Sequence, residues 1–152
     1  MVDNADQSTM DRVLTLVPQQ SPFRFINKII ELSDDHIVGQ YTYSEDEFFY
    51  KGHFPGNPIT PGVILIETMA QTGVVALGIY LTMKAGDDLN KLTVFTDGQV
   101  EFAAMIKPNE TVTIRASKIF WRRGKLKSRI ELLKEDGSLA AFGELSGMGV
   151  IS

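Results

Sequence analysis

The residue types that could do chemistry are concentrated between His53 and Gln71. His53 opens a loop, GHFPGNPITPGV at positions 52–63, whose prolines and glycines exclude regular structure. Its imidazole can accept a proton near neutral pH. Glu67 lies among apolar residues, where the loss of hydration favours the protonated carboxyl group and raises its pKa. Gln71 comes four residues later, so on a helix it shares a face with Glu67 and can bond its carboxyl group or a water.

Gly62 adds a further chemical group at the entrance of the apolar segment. If that segment is helical, the Gly62 N–H lies at the positive end of the helix dipole, where an oxygen that gains negative charge is stabilised. A base, an acid and an oxyanion donor together suit the abstraction of a proton next to a carbonyl group. His53, Glu67 and Gly62 therefore predict an enzyme of this reaction class.

These residues depend on a helix that we predict from Val63 to Met83, because 21 residues without a strong breaker are too many for a strand. Thr60 is the predicted N-cap, and Pro61 the proline of the first turn. The segment is apolar nearly all round, which predicts a helix enclosed by other structure. A membrane span is the weaker interpretation, since a charged residue such as Glu67 costs about 2.5–3.5 kcal/mol at mid-membrane.

Apolar and β-branched residues predict strands on both sides of that helix. We predict a hairpin of residues 25–32 and 37–43 around the turn Ser33-Asp34-Asp35. One or two helical turns are expected at residues 10–17, after about ten loosely ordered residues. Later strands are predicted at residues 111–120, 126–133 and 138–147. One long buried helix with five or six mostly antiparallel strands predicts a single α+β domain over residues 1–152, with a sheet wrapped round the helix.

The composition excludes several classes of function. The chain has 152 residues, a formal net charge of −4 and no cysteine, which excludes disulfides, thiolate metal sites and a cysteine nucleophile. An acidic chain is a poor general binder of nucleic acids. Its two histidines are too far apart for a recognised metal-ligand spacing, and no phosphate-binding loop follows a strand, so we expect neither metal nor nucleotide. The polar, acidic N-terminus has no secretory signal pattern, which predicts a cytoplasmic protein.

The run GHFPGNPITPGVILIETMAQ at positions 52–71 closely resembles the signature of the (3R)-hydroxyacyl-[acyl-carrier-protein] dehydratases of the FabZ type. The resemblance extends upstream to residues 17–23 and downstream to residues 100–108, and it covers roughly residues 15–148. It implies the hotdog fold, in which a curled antiparallel sheet wraps a central helix. It also implies dehydration of a hydroxyacyl thioester to the trans-2-enoyl thioester without a cofactor, since the phosphopantetheine arrives with the substrate.

The same resemblance implies a role for each residue of the motif. His53 matches the catalytic histidine and Glu67 the catalytic acid, a position at which the related FabA dehydratase–isomerases carry aspartate. Gly62 matches the residue whose N–H binds the thioester carbonyl, and Gln71 a polar residue that helps to orient water. In this family the histidine and the acid of one site come from different subunits, so a homodimer is the minimum active unit and trimers of dimers are common.

Departures from the family pattern lie outside the catalytic block. Gln19 and Gln20 replace the usual His-Arg, and Asn27 replaces an aspartate. They leave the substrate open between fatty-acid synthesis and a specialised pathway such as polyene synthesis. A hotdog acyl thioesterase and a non-catalytic subunit of a heteromeric dehydratase are the alternative functions.

Docking of an acidic acyl carrier protein on an acidic chain needs a local positive patch. Arg122 and Arg123, with Lys125 beside them, are the candidate docking residues. Met69 and Val74 could line an acyl tunnel, although core packing explains them equally well. His36 follows two aspartates in a turn and is expected to be solvated and without a role.

Overall fold

The computed structural model describes residues 4–151. Helix α1 comes first, strands β1 and β2 follow, and a central helix then leads into strands β3 to β6. Their bounds are α1 Gln7–Leu16, β1 Lys28–Leu32, β2 His36–Thr42, the central helix Gly62–Ala85, β3 Leu92–Phe102, β4 Thr111–Arg122, β5 Lys125–Leu133 and β6 Leu139–Val150.

The six strands form one antiparallel sheet in the order β1-β2-β4-β5-β6-β3. The predicted α+β class, the strand number and the early hairpin are therefore confirmed. Alternation along β4 is confirmed as well, because Val112, Ile114 and Ala116 are buried while Arg115 and Ser117 are exposed. The buried side chains of the sheet and the central helix belong to one continuous hydrophobic core.

The central helix lies within the curve of the sheet, as its sequence predicted. It is long and apolar enough to cross a membrane, but 67% of its most apolar window is buried inside the chain. Its middle, Gln71–Ala76, is π-helical, between α-helical parts on either side. At Gly73 the helix approaches the sheet so closely that a Cβ would lie 2.5 Å from Ile130 Cδ1. The Ser128 hydroxyl donates to the Gly73 carbonyl at 2.7 Å, which ties the π-helical turn to β5.

Three local expectations were wrong. Pro61, not Thr60, occupies the N-cap position of the central helix, because the Thr60 hydroxyl is hydrogen-bonded to the Tyr50 hydroxyl at 2.6 Å. Loose order was expected for the first ten residues or so, but α1 begins at Gln7, since the Asp6 carboxylate accepts the Thr9 N–H at 2.8 Å. Residues 1–3 of that expectation lie outside the described residues.

His36 is the third correction. Its Nδ1 lies 2.6 Å from Ser33 Oγ and its Nε2 lies 3.0 Å from Glu31 Oε1, so the ring is half-buried rather than solvated. The Ser33 hydroxyl also accepts the N–H groups of Asp35 and His36. His36 therefore stabilises the turn of the β1–β2 hairpin, which is a structural role.

Candidate active site

The loop between β2 and the central helix holds His53 in a defined orientation. His53 Nδ1 lies 2.9 Å from the Ile59 carbonyl oxygen. A carbonyl only accepts, so Nδ1 carries a hydrogen, and in the neutral ring Nε2 is the nitrogen with the free lone pair. The Ile59 N–H donates back to the His53 carbonyl at 2.8 Å, and the imidazole stacks on Phe54 with ring centroids 4.4 Å apart. The half-buried imidazole can therefore take up a proton at Nε2.

Glu67 and Gln71 contact each other on the central helix, as their spacing predicted. Gln71 Nε2 donates to Glu67 Oε2 at 2.8 Å. Burial raises the pKa of the Glu67 carboxyl group above its ordinary value, and the hydrogen bond from Gln71 opposes this rise. A carboxyl group with a raised pKa keeps its proton to higher pH, so Glu67 can serve as a general acid.

Gly62 is the first residue of the central helix, so its N–H has no acceptor within the helix. The site is crowded on one side, since a Cβ at Gly62 would lie 3.1 Å from Phe102 Cζ at the end of β3. Val63, the next residue, is 72% exposed in the single chain although its neighbours Ile64 and Leu65 are buried. The helix entrance therefore presents a backbone donor beside an apolar surface, an arrangement that can bind a carbonyl oxygen of an apolar ligand.

Gly62, Glu67 and Gln71 thus lie along one helix, with His53 in the loop that leads into it. Within residues 4–151 of one chain, His53 and Glu67 make no hydrogen bond or ion pair with each other. The two groups that were predicted to act together are therefore not joined directly inside a single chain. Met69 and Val74, further along the helix, are both buried in the core.

The sequence did not reveal what fixes Gln71. Its Oε1 accepts the Phe25 N–H at 2.7 Å, and its Nε2 donates to the Phe23 carbonyl at 2.9 Å as well as to Glu67. These backbone partners are 46 and 48 positions away along the chain. The only sequence signal near them is the proline-containing segment that resembles the family motif at residues 17–23.

The turn between β4 and β5 places the candidate docking residues at one end of the sheet. Arg122 and Arg123 are exposed, and the Arg122 guanidinium lies over the Phe120 ring at 4.3 Å. Lys125 pairs with Asp97 at 3.1 Å, whereas neither arginine forms an ion pair within residues 4–151. Positive charge on this turn therefore comes mainly from the two arginines. Across the same described residues, no group of three or more histidine and carboxylate side chains is placed to hold a metal ion.

Comparison with solved structures agrees with the observed fold. A chain of the dehydratase heterocomplex ApeI:P from Xenorhabdus doucetiae superimposes with a TM-score of 0.77 at 18% identity, covering 91% of this chain and 90% of that one. A hypothetical thioesterase from Streptococcus pneumoniae, solved with coenzyme A, superimposes less closely, with a TM-score of 0.58 at 13% identity, covering 82% of this chain and 86% of that one. The fold is therefore the hotdog fold, as the motif implied.

Sequence comparison gives the family. Residues 17–141 match the model of the FabA-like domain. The 3-hydroxyacyl-[acyl-carrier-protein] dehydratase FabZ of Acetivibrio thermocellus is 35% identical over 135 residues, covering 88% of each chain. The FabZ of Chloroflexus aggregans is 35% identical over 140 residues, covering 90% of this chain and 92% of that one. The chain belongs to the FabA-like family, among relatives of the FabZ type that its motif resembles.

Proposed function

We propose that this protein is a dehydratase of (3R)-hydroxyacyl thioesters carried on acyl carrier protein, and that it forms the trans-2-enoyl thioester. The observation that carries the proposal is Glu67, a carboxyl group whose pKa burial raises, on a helix that begins with a free backbone donor at Gly62. An elimination of water needs such an acid, together with a base like the His53 imidazole. FabZ relatives that match about nine tenths of this chain and of their own length support the substrate class.

In the proposed reaction, His53 Nε2 takes the proton from C2 while the Gly62 N–H stabilises the thioester oxygen that gains charge. The electron pair of the C2–H bond forms the C2=C3 double bond, and the C3–O bond breaks. Glu67 donates its proton to the departing hydroxyl group, which leaves as water. The elimination changes no oxidation state overall, so no redox cofactor is needed, and the phosphopantetheine thioester supplies the acidity at C2.

The proposed active unit contains two copies of the chain. Strand β3 is an edge of the sheet, and its side chains are largely exposed in the single chain, including Leu92, Val94, Phe95 and Phe102. An exposed apolar edge strand is a surface that pairs with another chain. Pairing of β3 with β3 of a second copy would cover it and bring Phe102, which packs beside Gly62, into the interface. In a heteromeric assembly a related chain would cover the same strand, whereas a trimer of such dimers would need a further surface.

The direct test supplies the purified protein with (3R)-hydroxyacyl carrier proteins of several chain lengths and follows the product by mass spectrometry. A loss of 18 mass units as water, with the thioester intact, is the expected result. Release of a free thiol instead would identify a thioesterase, and no reaction with any acyl length would favour a non-catalytic subunit. His53→Ala and Glu67→Gln should each lower kcat about 10²–10⁴-fold while the protein remains folded.

Mixing these two inactive variants tests whether a site spans two chains. In a dimer of one His53→Ala chain and one Glu67→Gln chain, one site has both intact residues and the other has neither. Random mixing should therefore restore about a quarter of the wild-type activity in a symmetric dimer. No recovery after mixing, with mixed dimers shown by mass spectrometry, would place His53 and Glu67 of one site in the same chain.

Acyl carrier protein is the proposed partner, and Arg122 and Arg123 the proposed contacts for its acidic surface. Lys125 contributes less because Asp97 already pairs with it. The cytoplasm is the proposed location, where the central helix is a core element rather than a membrane span.

A further inference from the structure

Gln71 has no hydrogen left with which to bind a substrate or a water. Its Nε2 carries two hydrogens, of which one goes to the Phe23 carbonyl at 2.9 Å and the other to Glu67 Oε2 at 2.8 Å. Its Oε1 accepts the Phe25 N–H at 2.7 Å, and the residue is completely buried. The side chain is therefore held between the backbone at positions 23–25 and the carboxyl group of Glu67.

Arg24 anchors the segment that holds Gln71. Its guanidinium donates to the carbonyl groups of Leu14, Val17 and Gln19, at 2.5, 3.1 and 3.2 Å, and so ties this segment to the end of α1. Phe25 on one side of Arg24 is fully buried, and its ring meets the Phe23 ring edge-on with centroids 5.1 Å apart. One continuous set of contacts thus leads from α1 through Arg24, the backbone at 23–25 and Gln71 to Glu67.

We propose that Gln71 and Arg24 are positioning residues for the acid, and that Glu67 donates its proton from Oε1. This inference rests on the proposed dehydration. An amide N–H can only donate, so the oxygen that it contacts must be an acceptor. Oε2 faces Gln71, and the carbonyl oxygen of a protonated carboxyl group accepts a hydrogen bond more strongly than its hydroxyl oxygen does, so this contact favours Oε2 as the carbonyl oxygen. The proton of neutral Glu67 therefore sits on Oε1, which has no partner within residues 4–151 and is not sealed from its surroundings.

Glu67 can then transfer its proton from Oε1 while Gln71 stays in place and keeps its hydrogen bond to Oε2. The O–H bond at Oε1 breaks, the proton joins the departing C3 hydroxyl group, and the negative charge that remains on the carboxylate is stabilised by the hydrogen bond already present at Oε2. This role differs from the one that the family resemblance implied for Gln71, the orientation of water. The geometry leaves the glutamine to orient the carboxyl group instead.

The titration of Glu67 measures this contact independently of any activity. We would label the glutamate side chains with ¹³C at Cδ, assign the Glu67 signal by its absence in Glu67→Gln, and follow it against pH in the free protein. Gln71→Met removes the donor at nearly constant length, so the titration midpoint of Glu67 should move to higher pH, because burial alone then acts on the carboxyl group. Gln40→Met is the matched control, since Gln40 bonds Thr113 on the sheet and should leave the midpoint unchanged.

Gln71→Glu provides a second measurement if the methionine variant does not fold. It keeps the size of the side chain and an acceptor for the Phe25 N–H, but places a second carboxyl group against Glu67. Two carboxyl groups at hydrogen-bond distance titrate as a coupled pair, so the Glu67 signal should change in two steps. An unchanged midpoint in folded Gln71→Met, or a single unshifted step in Gln71→Glu, would overturn the proposal.

Kinetics then test the positioning role. Gln71→Met should lower kcat about 10–100-fold with little change in KM, since a misplaced acid slows the chemical step. Activity requires protonated Glu67 and falls as pH rises through its pKa, so the alkaline limb of the kcat profile should move to higher pH. Arg24→Met should lower kcat and shift the alkaline limb in the same directions, but by less. Arg12→Met, on the exposed face of α1, should change neither quantity.

The two proposals fail in different ways. A wild-type protein that forms no enoyl product would contradict the dehydration, while the shifted Glu67 titration would still support the contact with Gln71. If the enzyme is active but Gln71→Met changes neither the Glu67 titration nor the pH profile of kcat, only the positioning role is contradicted. A rise of KM alone in Gln71→Met would instead assign Gln71 to direct substrate binding.

Discussion

Glu67 is a carboxyl group that the fold keeps partly away from water, and this has a cost in stability. Burial raises its pKa, which means that the folded protein tolerates the neutral form better than the charged form. The unfolded chain has no such preference. Above the raised pKa the folded state therefore carries a charge in an unfavourable place, in exchange for an acid that keeps its proton to higher pH than an exposed glutamate does.

The sign of this effect gives a prediction for Glu67→Gln. Below about pH 4.5, the ordinary pKa of glutamate, the carboxyl group is protonated in both states, and wild type and variant should differ little on this account. As pH rises through the pKa of the folded state, the wild type loses stability and the glutamine variant does not. Thermal unfolding at several pH values should show a melting temperature of Glu67→Gln that increasingly exceeds that of the wild type. A constant difference across pH would contradict the raised pKa.

The contact between Glu67 and Gln71 could be predicted from the sequence because it is local. Glu67 and Gln71 are one helical turn apart, and a carboxyl group on an apolar helix must lose hydration. The partners Phe23 and Phe25 could not be predicted, since nothing in the spacing of residues says which distant backbone will meet an amide. His36 was misjudged although its partners Ser33 and Glu31 are three and five residues away, because the turn that brings these side chains together does not follow from the residue types alone.

Among the elements, the central helix packs closely against the sheet at Gly73, in its π-helical turn. The close approach at Gly73 allows no side chain, since Ile130 and Ala116 lie within 3.0 Å of a Cβ there. Gly78, one and a half turns later on the same helix, has room, because its nearest neighbour would be Leu126 Cδ2 at 3.7 Å. Gly73 and Gly78 therefore differ in whether the sheet leaves room for a methyl group.

Gly73→Ala should destabilise the protein by about 1–3 kcal/mol through overpacking, as measured by urea unfolding. Adding Ile130→Val removes the Cδ1 atom that the new methyl group would strike, so the double variant should recover part of the loss. Gly78→Ala is the matched control and should be neutral or stabilising, because alanine favours a helix over glycine by up to about 1 kcal/mol. Equal losses at Gly73 and Gly78 would argue against the close fit at β5.

The strands differ in how well their sequences predicted them. Buried and exposed residues alternate along β4 and β5 because one face of each strand packs against the helix. The alternation of apolar and polar residues in the sequence reflects this burial directly. β3 gave no such signal, since nearly all of its side chains are exposed in the single chain. The π-helical segment QTGVVA was not predictable either, because its residue types are those of an ordinary buried helix and its geometry follows from contact with the sheet.

For the whole molecule, the proposed dimer depends on the exposed edge strand β3. Phe95→Lys places a charge on β3, where Phe95 is 50% exposed, so the chain should fold but remain monomeric and lose its activity. Ile30→Lys is a matched control on β1 at the opposite edge of the sheet, with Ile30 40% exposed, and should leave the dimer and its activity intact. Analytical ultracentrifugation and the dehydration assay measure both effects. An active, folded monomer of Phe95→Lys would contradict the proposed dimer.

The exposed positive charge of Arg122 and Arg123 on the β4–β5 turn is proposed to attract acyl carrier protein. Reversal of both arginines, Arg122→Glu with Arg123→Glu, should lower kcat/KM for acyl carrier protein substrates about tenfold and weaken its dependence on salt. The same variant should process a small pantetheine thioester at the wild-type rate. Arg115→Glu, which reverses an exposed arginine paired with Glu131, is the control and should affect neither substrate. A loss with both substrates would assign the arginines to the fold or the site.

The strand order also has a consequence during synthesis on the ribosome. β3 follows the central helix directly, but its hydrogen-bonding partner is β6, which ends at Val150, after β4 and β5 have been made. At translation speeds of about 5–20 residues per second, the nascent chain carries an unpaired apolar β3 for several seconds. The strand proposed to join two subunits is thus an exposed apolar segment of the nascent chain to which a chaperone can bind.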